Sequence, residues 1–158
     1  QSEQLEVDQI WINRIKEKLG FSLVETMLVI SMVTLLVSIA VFSYRVARAH
    51  SALEDARMML VRSLEEARSR AATGAGTTHH GVYVESSVIT EFEGAAYVAG
   101  IGSVYVLPPS ITTNHAGTAV IFRRLSTRTD ALVEVVITNI LGETATVTIT
   151  PDGAIIPQ

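Results

Sequence analysis

A long apolar segment begins after residue 22, and it limits the folds open to this chain more than any other feature. From Leu23 to Tyr44 the sequence contains no Gly, no Pro and a single charged residue, Glu25. About 20 consecutive apolar residues are enough for a helix to cross the hydrocarbon core of a bilayer. The few Ser and Thr residues are compatible with that environment, because a helical hydroxyl can donate to its own backbone. The segment therefore predicts a transmembrane helix.

Glu25 is the anomaly in this segment, since a carboxylate within a membrane span costs about 2.5–3.5 kcal/mol at the helix centre and less near an end. One explanation is a capping box, in which Ser22 is the N-cap and Glu25 accepts a hydrogen bond from the Ser22 amide. The other explanation requires a cation. Cleavage after Gly20 would leave a positive α-amine on Phe21, and the Glu25 of a neighbouring copy could pair with it. The residues alone leave both explanations open, and the two can coexist.

The residues around this point resemble the processing signal of the type IV pilin and pseudopilin superfamily. Residues 16–25 read Lys-Glu-Lys-Leu-Gly-Phe-Ser-Leu-Val-Glu, so Gly20 and Phe21 follow basic residues, and Glu25 is the fifth residue after the Gly. The resemblance implies that a prepilin peptidase cleaves between Gly20 and Phe21 and methylates the new amine. It also implies that the leader, residues 1–20, is cytoplasmic. The C-terminal domain then lies outside the cytoplasmic (inner) membrane, which the chain crosses once.

The helical pattern continues beyond the apolar segment, because no Gly or Pro occurs before Gly74. Apolar residues recur at intervals of three and four from Val46 to Ala71, and charged residues occupy the other faces. We predict one continuous helix from about Ser22 to about Ala72, roughly 75 Å long at ~1.5 Å per residue. Residues 21–44 form its membrane or filament-core part. Residues 45–72 form an amphipathic extension that needs a partner surface, most simply the sheet of the same chain.

Residues 73–158 change to the pattern of β-strands and are predicted to form an extracytoplasmic globular domain. Alternating and β-branched runs predict strands at 81–85, 103–107, 118–122, 132–138, 144–150 and 154–156, with a hairpin turn around Gly142. A long helix followed by antiparallel strands predicts an α+β fold. We therefore expect a pilin-like arrangement, with the long N-terminal helix packed on a small antiparallel β-sheet domain.

Two segments of this second part, residues 64–71 and 147–155, resemble the GspH/FimT-like minor pseudopilins. The resemblance implies a structural subunit of a type II secretion system that assembles with other pseudopilin subunits into a periplasmic pseudopilus for protein secretion. The alternatives are a minor pilin of a type IV pilus, for adhesion, motility or DNA uptake, and a single-pass anchored binding domain that does not polymerise. The DNA-uptake members carry a basic C-terminal segment, which residues 154–158 lack, and the net charge is −4. DNA is therefore not an expected partner.

Neither an enzyme nor a cofactor site is predicted. The absence of Cys excludes disulfides and thiolate ligands, and no nucleophile–base arrangement or cofactor fingerprint occurs. His79 and His80 favour a surface loop over a metal site, and His50 is predicted to lack a partner. A last cluster, near the third predicted strand, is interpreted as a solvated turn or as a contact to DNA or to an acidic patch on another subunit. It comprises Arg123, Arg124 and Arg128.

Overall fold

The computed structural model describes residues 22–76, 78–114 and 117–158. The chain divides into two compact units, Gln1–Tyr44 and Arg45–Gln158. Helix α1 is Leu23–Thr73, a continuous helix of 51 residues. The predicted helix is confirmed to within one residue at each end, because the sequence offers no Gly or Pro until Gly74.

The strands form two antiparallel sheets of four strands each. The first sheet has the order β3-β2-β1-β5 and contains β1 (His80–Val84), β2 (Val88–Glu93), β3 (Ser103–Val106) and β5 (Thr118–Phe122). The second has the order β4-β6-β7-β8 and contains β4 (Ile111–Thr113), β6 (Val133–Asn139), β7 (Thr144–Ile149) and β8 (Ile155–Pro157). The α+β layout predicted from the sequence is confirmed, with the strands divided between two sheets.

All six predicted strands are present within one residue of their expected bounds. Two strands were not predicted, β2 and β4. In β2 the inward-facing positions include Glu91, a charged residue whose burial breaks the usual alternation of apolar and polar positions. Strand β4 has only three residues, too few for an alternating pattern to emerge.

One stripe of α1 packs against both sheets in a single core. The predicted stripe is buried from Ala49 to Ala71, whereas Val46 is only half-buried and Ser63 joins the buried set. From the sheets, inward-facing Val, Ile and Phe residues of β1, β2, β5, β6 and β7 complete the core. Burial of this apolar surface fixes the second half of α1 on the sheets.

The C-terminal end of α1 is closed by the loop that follows β5. The amide of Gly74, which has a φ of 69°, donates to the carbonyl of Ala71 at 3.2 Å, and the amide of Leu125 donates to the same carbonyl at 2.8 Å. A carbonyl in the last turn of a helix has no partner within the helix, so these two amides satisfy it, one locally and one from the loop after β5. Leu125 itself has a φ of 57°. A β-carbon at position 74 would lie 2.7 Å from Leu125 Cδ2.

Candidate functional site

Glu25 lies in the first turn of α1, and its side chain is exposed. The helix opens with a bond from the Thr26 amide to the Ser22 carbonyl at 3.1 Å. Within residues 22–76, 78–114 and 117–158, the side chains of Ser22 and Glu25 make no hydrogen bond or ion pair, so the two do not form the reciprocal bonds of a capping box. The remaining local effect is the helix dipole, which favours a carboxylate in the first turn.

Four hydroxyl groups of the apolar segment donate hydrogen bonds inside the helix. Thr26, Ser31 and Thr34 donate to carbonyls three residues earlier at 2.8–2.9 Å, and Ser38 donates to the Thr34 carbonyl at 2.8 Å. These four hydroxyls therefore need no outside partner. Glu25 is the one charged side chain between Leu23 and Tyr44, and it has no partner within the described part of the chain.

The apolar side chains between Leu23 and Tyr44 are all exposed. By length and composition, the helix could cross a membrane. A soluble monomer rarely exposes an apolar surface of this extent, and larger patches mark contacts with protein or membrane. The surface therefore fits lipid or the helices of other chains.

The charged residues of the second half of α1 pair along the helix. Glu54 and Arg57 lie 3.4 Å apart, Glu65 and Arg68 lie 3.7 Å apart, and Glu66 pairs with Arg70. These side chains are partly exposed, and pairs of this kind typically contribute ~0.3–0.5 kcal/mol. They form a partly exposed face of the helix.

Glu91 is a buried carboxylate that the sequence interpretation did not single out. It lies on β2, is only 6 % exposed, and lines a groove of about 370 Å³ between α1 and the edge of the first sheet. Its Oε1 atom is buried without a hydrogen-bond partner among the described residues. Ser63 and Glu66 of α1 and Tyr105 of β3 line the same groove. The sequence offered one indication that Glu91 could be buried. Glu91 stands two residues after Ile89, so the two side chains lie on the same face of β2.

Burial raises the pKa of Glu91 above its ordinary value of 4.5, and the neighbouring Glu66 carboxylate adds to this rise. Arg70, the Ser63 hydroxyl and Arg62 oppose it. The physical cause is that burial removes water from the carboxylate and so disfavours its charged form. Glu91 is therefore a local weakness in the packing between α1 and the first sheet, present when the carboxylate is ionised.

The basic cluster lies in the loop after β5. Arg123 Nε donates to Asp130 Oδ1 at 2.9 Å, so one of the three arginines in the cluster is paired with a carboxylate. Arg123 also lines a shallow hollow on the surface, together with Arg124, Arg128 and Pro151. The three arginine side chains are exposed, which agrees with a solvated turn. A contact of this cluster with an acidic partner or DNA remains a prediction.

The histidines differ from expectation at two positions. His80 is not in a surface loop: it begins β1, is buried, and its Nε2 lies 2.6 Å from the Ala75 carbonyl oxygen. His50 does have a partner, since its Nδ1 lies 3.7 Å from the Glu143 carboxylate. Spacing along the sequence could not show either contact, because both partners are brought in by the fold. No cluster of His, Asp and Glu that could hold a metal ion occurs within the described ranges.

The turn between β6 and β7 is fixed to α1 by Asn139, which is 5 % exposed. Asn139 Oδ1 accepts hydrogen bonds from the amides of Leu141 and Glu143 at 2.9 and 3.0 Å. Its Nδ2 donates to the Ala49 carbonyl at 3.3 Å and to Glu143 Oε2 at 2.8 Å. Gly142 supplies the φ of 80° that the turn requires. One side chain thus fixes the turn internally and docks it on the helix.

Of the three residues predicted to act in processing and assembly, Gly20 and Phe21 lie outside the described residues, and Glu25 is placed in the first turn of α1. Comparisons with protein-family models, with curated proteins and with solved structures found no match. What can be said of the function therefore depends on the residues and the fold of this chain. The layout that these provide is one long helix with an apolar N-terminal half, packed through its second half on two small antiparallel sheets.

Proposed function

We propose that this chain is a minor pseudopilin, a prepilin-like structural subunit of a type II secretion system. In this proposal the chain is inserted in the cytoplasmic membrane with residues 1–20 inside and the sheet domain outside. A prepilin peptidase removes the leader after Gly20 and methylates Phe21. The trimmed subunit then joins other pseudopilin subunits in an extracytoplasmic filament.

The observation that carries the proposal is the exposed apolar half of α1 with the single carboxylate of Glu25 in its first turn. A simple membrane anchor needs the apolar surface, but the helix dipole gives a carboxylate there only about 0.3–1 kcal/mol, less than its cost deep in lipid. In a filament the same surface is covered by other helices, and the carboxylate acquires a cation. The four internally bonded hydroxyls agree with this interpretation, because Glu25 is then the one charged group of the segment that needs an outside partner.

The proposed assembly step is an ion pair between Glu25 of one subunit and the Phe21 amine of its neighbour. The amine exists only after cleavage, so an unprocessed chain lacks the cation and cannot satisfy Glu25. Two charges that meet in an apolar environment attract more strongly than in water, and each offsets the desolvation of the other. The pair would therefore couple processing to assembly and fix the axial position of each new subunit.

Processing is tested by the N-terminal sequence and intact mass of the full chain, produced in a host with an active prepilin peptidase. The expected product begins at Phe21 and carries one additional methyl group. A parallel host with an inactive peptidase is the control, in which the leader should remain. A chain that retains residues 1–20 in the presence of active peptidase would contradict the proposal and favour an anchored domain that does not polymerise.

Assembly is tested by Glu25→Gln and Glu25→Val in a strain that carries the remaining filament subunits. Both variants remove the charge, and the first preserves the shape of the side chain. We expect each to abolish incorporation into sheared or affinity-purified filaments while membrane levels stay unchanged. Glu65→Gln, a change in a solvated pair of the same helix, should be incorporated normally. Normal incorporation of Glu25→Gln would rule out the ion pair as the assembly contact.

A further inference from the structure

Strand β3 is an exposed edge of the first sheet. It stands at the end of the order β3-β2-β1-β5, within the second compact unit. Its four residues include no charged residue and no Pro, which natural edge strands commonly use to prevent further pairing. Val104 is 59 % exposed and Val106 is 69 % exposed. An edge of this kind can accept a further strand through its backbone.

The outer backbone groups of β3 have no partner. Just after the strand, the amide of Leu107 donates to the carbonyl of Ser87 at 2.9 Å, on the side of β2. Backbone groups alternate between the two sides of an antiparallel strand, so the N–H and C=O groups of Val104 and Val106 point away from β2. No hydrogen bond from elsewhere in residues 22–76, 78–114 and 117–158 reaches them. Two donors and two acceptors are therefore available to an added strand.

The two faces of β3 differ in their surroundings. Tyr105 packs partly buried against the core and lines the groove beside α1, so its side chain lies on the α1 face. Side chains alternate along a strand, which puts those of Val104 and Val106 on the opposite face. An added strand presents its own side chains to the same two faces. On the outer face they meet two exposed valines, which favours β-branched apolar residues.

The α1 face of this edge is acidic. Asp55, Glu66 and Glu91 bring carboxylates to the groove, and among the described residues that line it Arg62 brings the one guanidinium. Glu66 pairs with Arg70, whereas Arg62 makes no ion pair within the described part of the chain. The groove therefore carries an excess of negative charge, and charge complementarity favours a cation in it.

Glu91 gives this charge a specific acceptor atom. Its side chain is 6 % exposed, and its Oε1 has no hydrogen-bond partner among the described residues. A carboxylate in this state is costly, and a cation that donates a hydrogen bond to it offsets the cost. The carboxylate can rotate about its last bond, so either oxygen can turn toward the groove. Ser103, the β3 residue opposite Glu91, is small and exposed, and it leaves the approach from the sheet edge open.

A lysine side chain suits this groove better than an arginine. Its ammonium group is a compact charge that can satisfy one acceptor atom, whereas the planar guanidinium of Arg is suited to both oxygens of a carboxylate. The remaining lining is partly apolar and includes Met58, Met59 and Tyr105. The four-carbon stem of a lysine can pack along these side chains while its charged end reaches the carboxylate.

A second copy of this chain does not match the edge. None of the eight strands in the described part of the chain contains a Lys or an Arg, so a strand from another copy would bring no cation to the groove. Pairing of β3 with β3 would also bring two acidic grooves together. The occupant that fits is therefore a strand of a different protein.

We propose that β3 binds an extended segment of another protein, which adds to the first sheet as a fifth, antiparallel strand and inserts a lysine side chain toward Glu91. The segment has the pattern apolar–Lys–apolar. Its lysine lies on the α1 face, and the two flanking residues pair with Val104 and Val106. The contact belongs to the sheet domain alone and depends neither on membrane insertion nor on filament assembly.

The experiment measures the binding of synthetic peptides to the full chain in micelles by fluorescence anisotropy, at about pH 8, where the carboxylate is ionised. The probe is Ser-Val-Thr-Val-Lys-Val-Thr-Val-Ser with blocked ends and a fluorophore. One matched peptide has Gln in place of Lys. A second carries N-methyl groups on the two valines that flank the Lys, so it cannot donate to β3. We expect each change to weaken binding at least about tenfold.

Variants of the protein test the same two contacts from the other side. Glu91→Gln should weaken binding of the Lys peptide about tenfold and leave binding of the Gln peptide unchanged. Glu134→Gln, a change of an exposed carboxylate on β6, should bind both peptides as the wild type does. Val104→Pro removes an outward N–H and keeps the bonds to β2, and it should abolish binding of both peptides. Near-ultraviolet dichroism of the Tyr83–Tyr97 pair checks that each variant is folded.

Each result decides the proposal. If the N-methylated peptide binds the wild type as well as the probe does, strand addition is wrong, and this comparison holds even if Val104→Pro does not fold. If Glu91→Gln weakens both peptides equally or neither, the lysine does not reach Glu91, and the proposed chemistry of the partner is wrong. If the chain forms dimers that Val104→Pro abolishes, a second copy covers β3, which also overturns the proposal.

Discussion

The two halves of helix α1 are built from one continuous backbone, yet they obtain their stability from different sources. Between Leu23 and Tyr44 apolar residues occur on every side and all are exposed. From Ala49 to Ala71 the buried residues form one stripe, and the opposite faces carry ion pairs. A helix that is apolar all round needs an apolar environment, whereas a striped helix needs one covered face. Within the part of the chain that the structure describes, the second half finds that face on the two sheets and the first half is exposed.

This comparison shows that a helical sequence pattern does not by itself indicate which surface packs against the helix. Both halves have the same secondary structure and no Gly or Pro, so local propensity treats them alike. The distribution of apolar residues around the axis separates them. Apolar substitutions should therefore affect the folding of the sheet domain strongly in one half and hardly at all in the other.

The largest expected effect is that of Leu64→Ala. Leu64 is fully buried among both sheets, and a Leu→Ala change in such a core typically costs about 2–5 kcal/mol. Leu36→Ala, in the exposed half, should change the free energy of unfolding of the sheet domain by less than about 0.5 kcal/mol. The measurement is urea unfolding of the full chain in micelles. Near-ultraviolet dichroism of the stacked Tyr83–Tyr97 pair, whose centroids are 3.8 Å apart, serves as the probe.

An equal loss of unfolding free energy for Leu36→Ala and Leu64→Ala would contradict this comparison, because it would require the apolar half to pack on the sheet domain. A loss confined to Leu64→Ala would support two independent sources of stability. Recovery of helix content by far-ultraviolet dichroism in both variants excludes a general loss of helix.

A smaller effect is expected for Asn139→Ala, which tests where the packed half begins. The variant removes four hydrogen bonds and leaves the amides of Leu141 and Glu143 without an acceptor. We expect a loss of about 2–3 kcal/mol in the same unfolding measurement. Asn114→Ala is the control, since this exposed side chain accepts one hydrogen bond, from the Val136 amide at 2.8 Å. A cost no larger than that of the control would mean that docking at Ala49 is not needed for the fold.

The smallest effect is that of Glu91→Gln, and it depends on pH. Because the pKa of Glu91 is raised by burial, the folded state holds its proton more tightly than the unfolded state does. The cost of the carboxylate is therefore absent below the ordinary value of 4.5 and grows as the pH rises through the raised value. We expect the variant to match the wild type near about pH 4 and to be more stable by about 1 kcal/mol near about pH 8.

The exposed Glu134→Gln should produce only a small change at both pH values, because its side chain is already in water. If Glu91→Gln destabilises the domain at the higher pH, the carboxylate is paired in solution and the groove around it is not a weakness. Glu25 differs from Glu91 in its setting, since Glu25 is exposed in the apolar half of α1, whereas Glu91 is buried on β2 beside the packed half.

Most elements of the fold could be predicted from the sequence, because their patterns extend over many residues. The bounds of α1 followed from the absence of Gly and Pro, and six strands followed from alternation. The division into two sheets could not be predicted, since it depends on which strands pair over long distances. For example, β5 pairs with β1 and β4 pairs with β6, and neither pair is a hairpin of consecutive strands.

The candidate sites were predicted less completely, for a physical reason. Glu25 stands out because a charge interrupts an apolar run. Glu91 does not, since a Glu in an alternating strand normally faces water. The partners of His50 and His80 are contributed by Glu143 and Ala75, and no spacing along the sequence indicates such contacts. Signals confined to one segment were recoverable, and signals that join segments were not.

The closure of the α1 terminus by the loop after β5 has a consequence for related sequences. Leu125 in its left-handed conformation occupies the space in which a side chain at position 74 would begin. That contact involves the end of an exposed Leu side chain, which can rotate away, so it does not by itself exclude a side chain at position 74. The φ of 69° at Gly74 does, because residues other than Gly and Asn rarely adopt it. In an alignment of homologues, position 74 should therefore remain Gly or Asn whatever residue occupies position 125, independently of the evolution of the membrane segment.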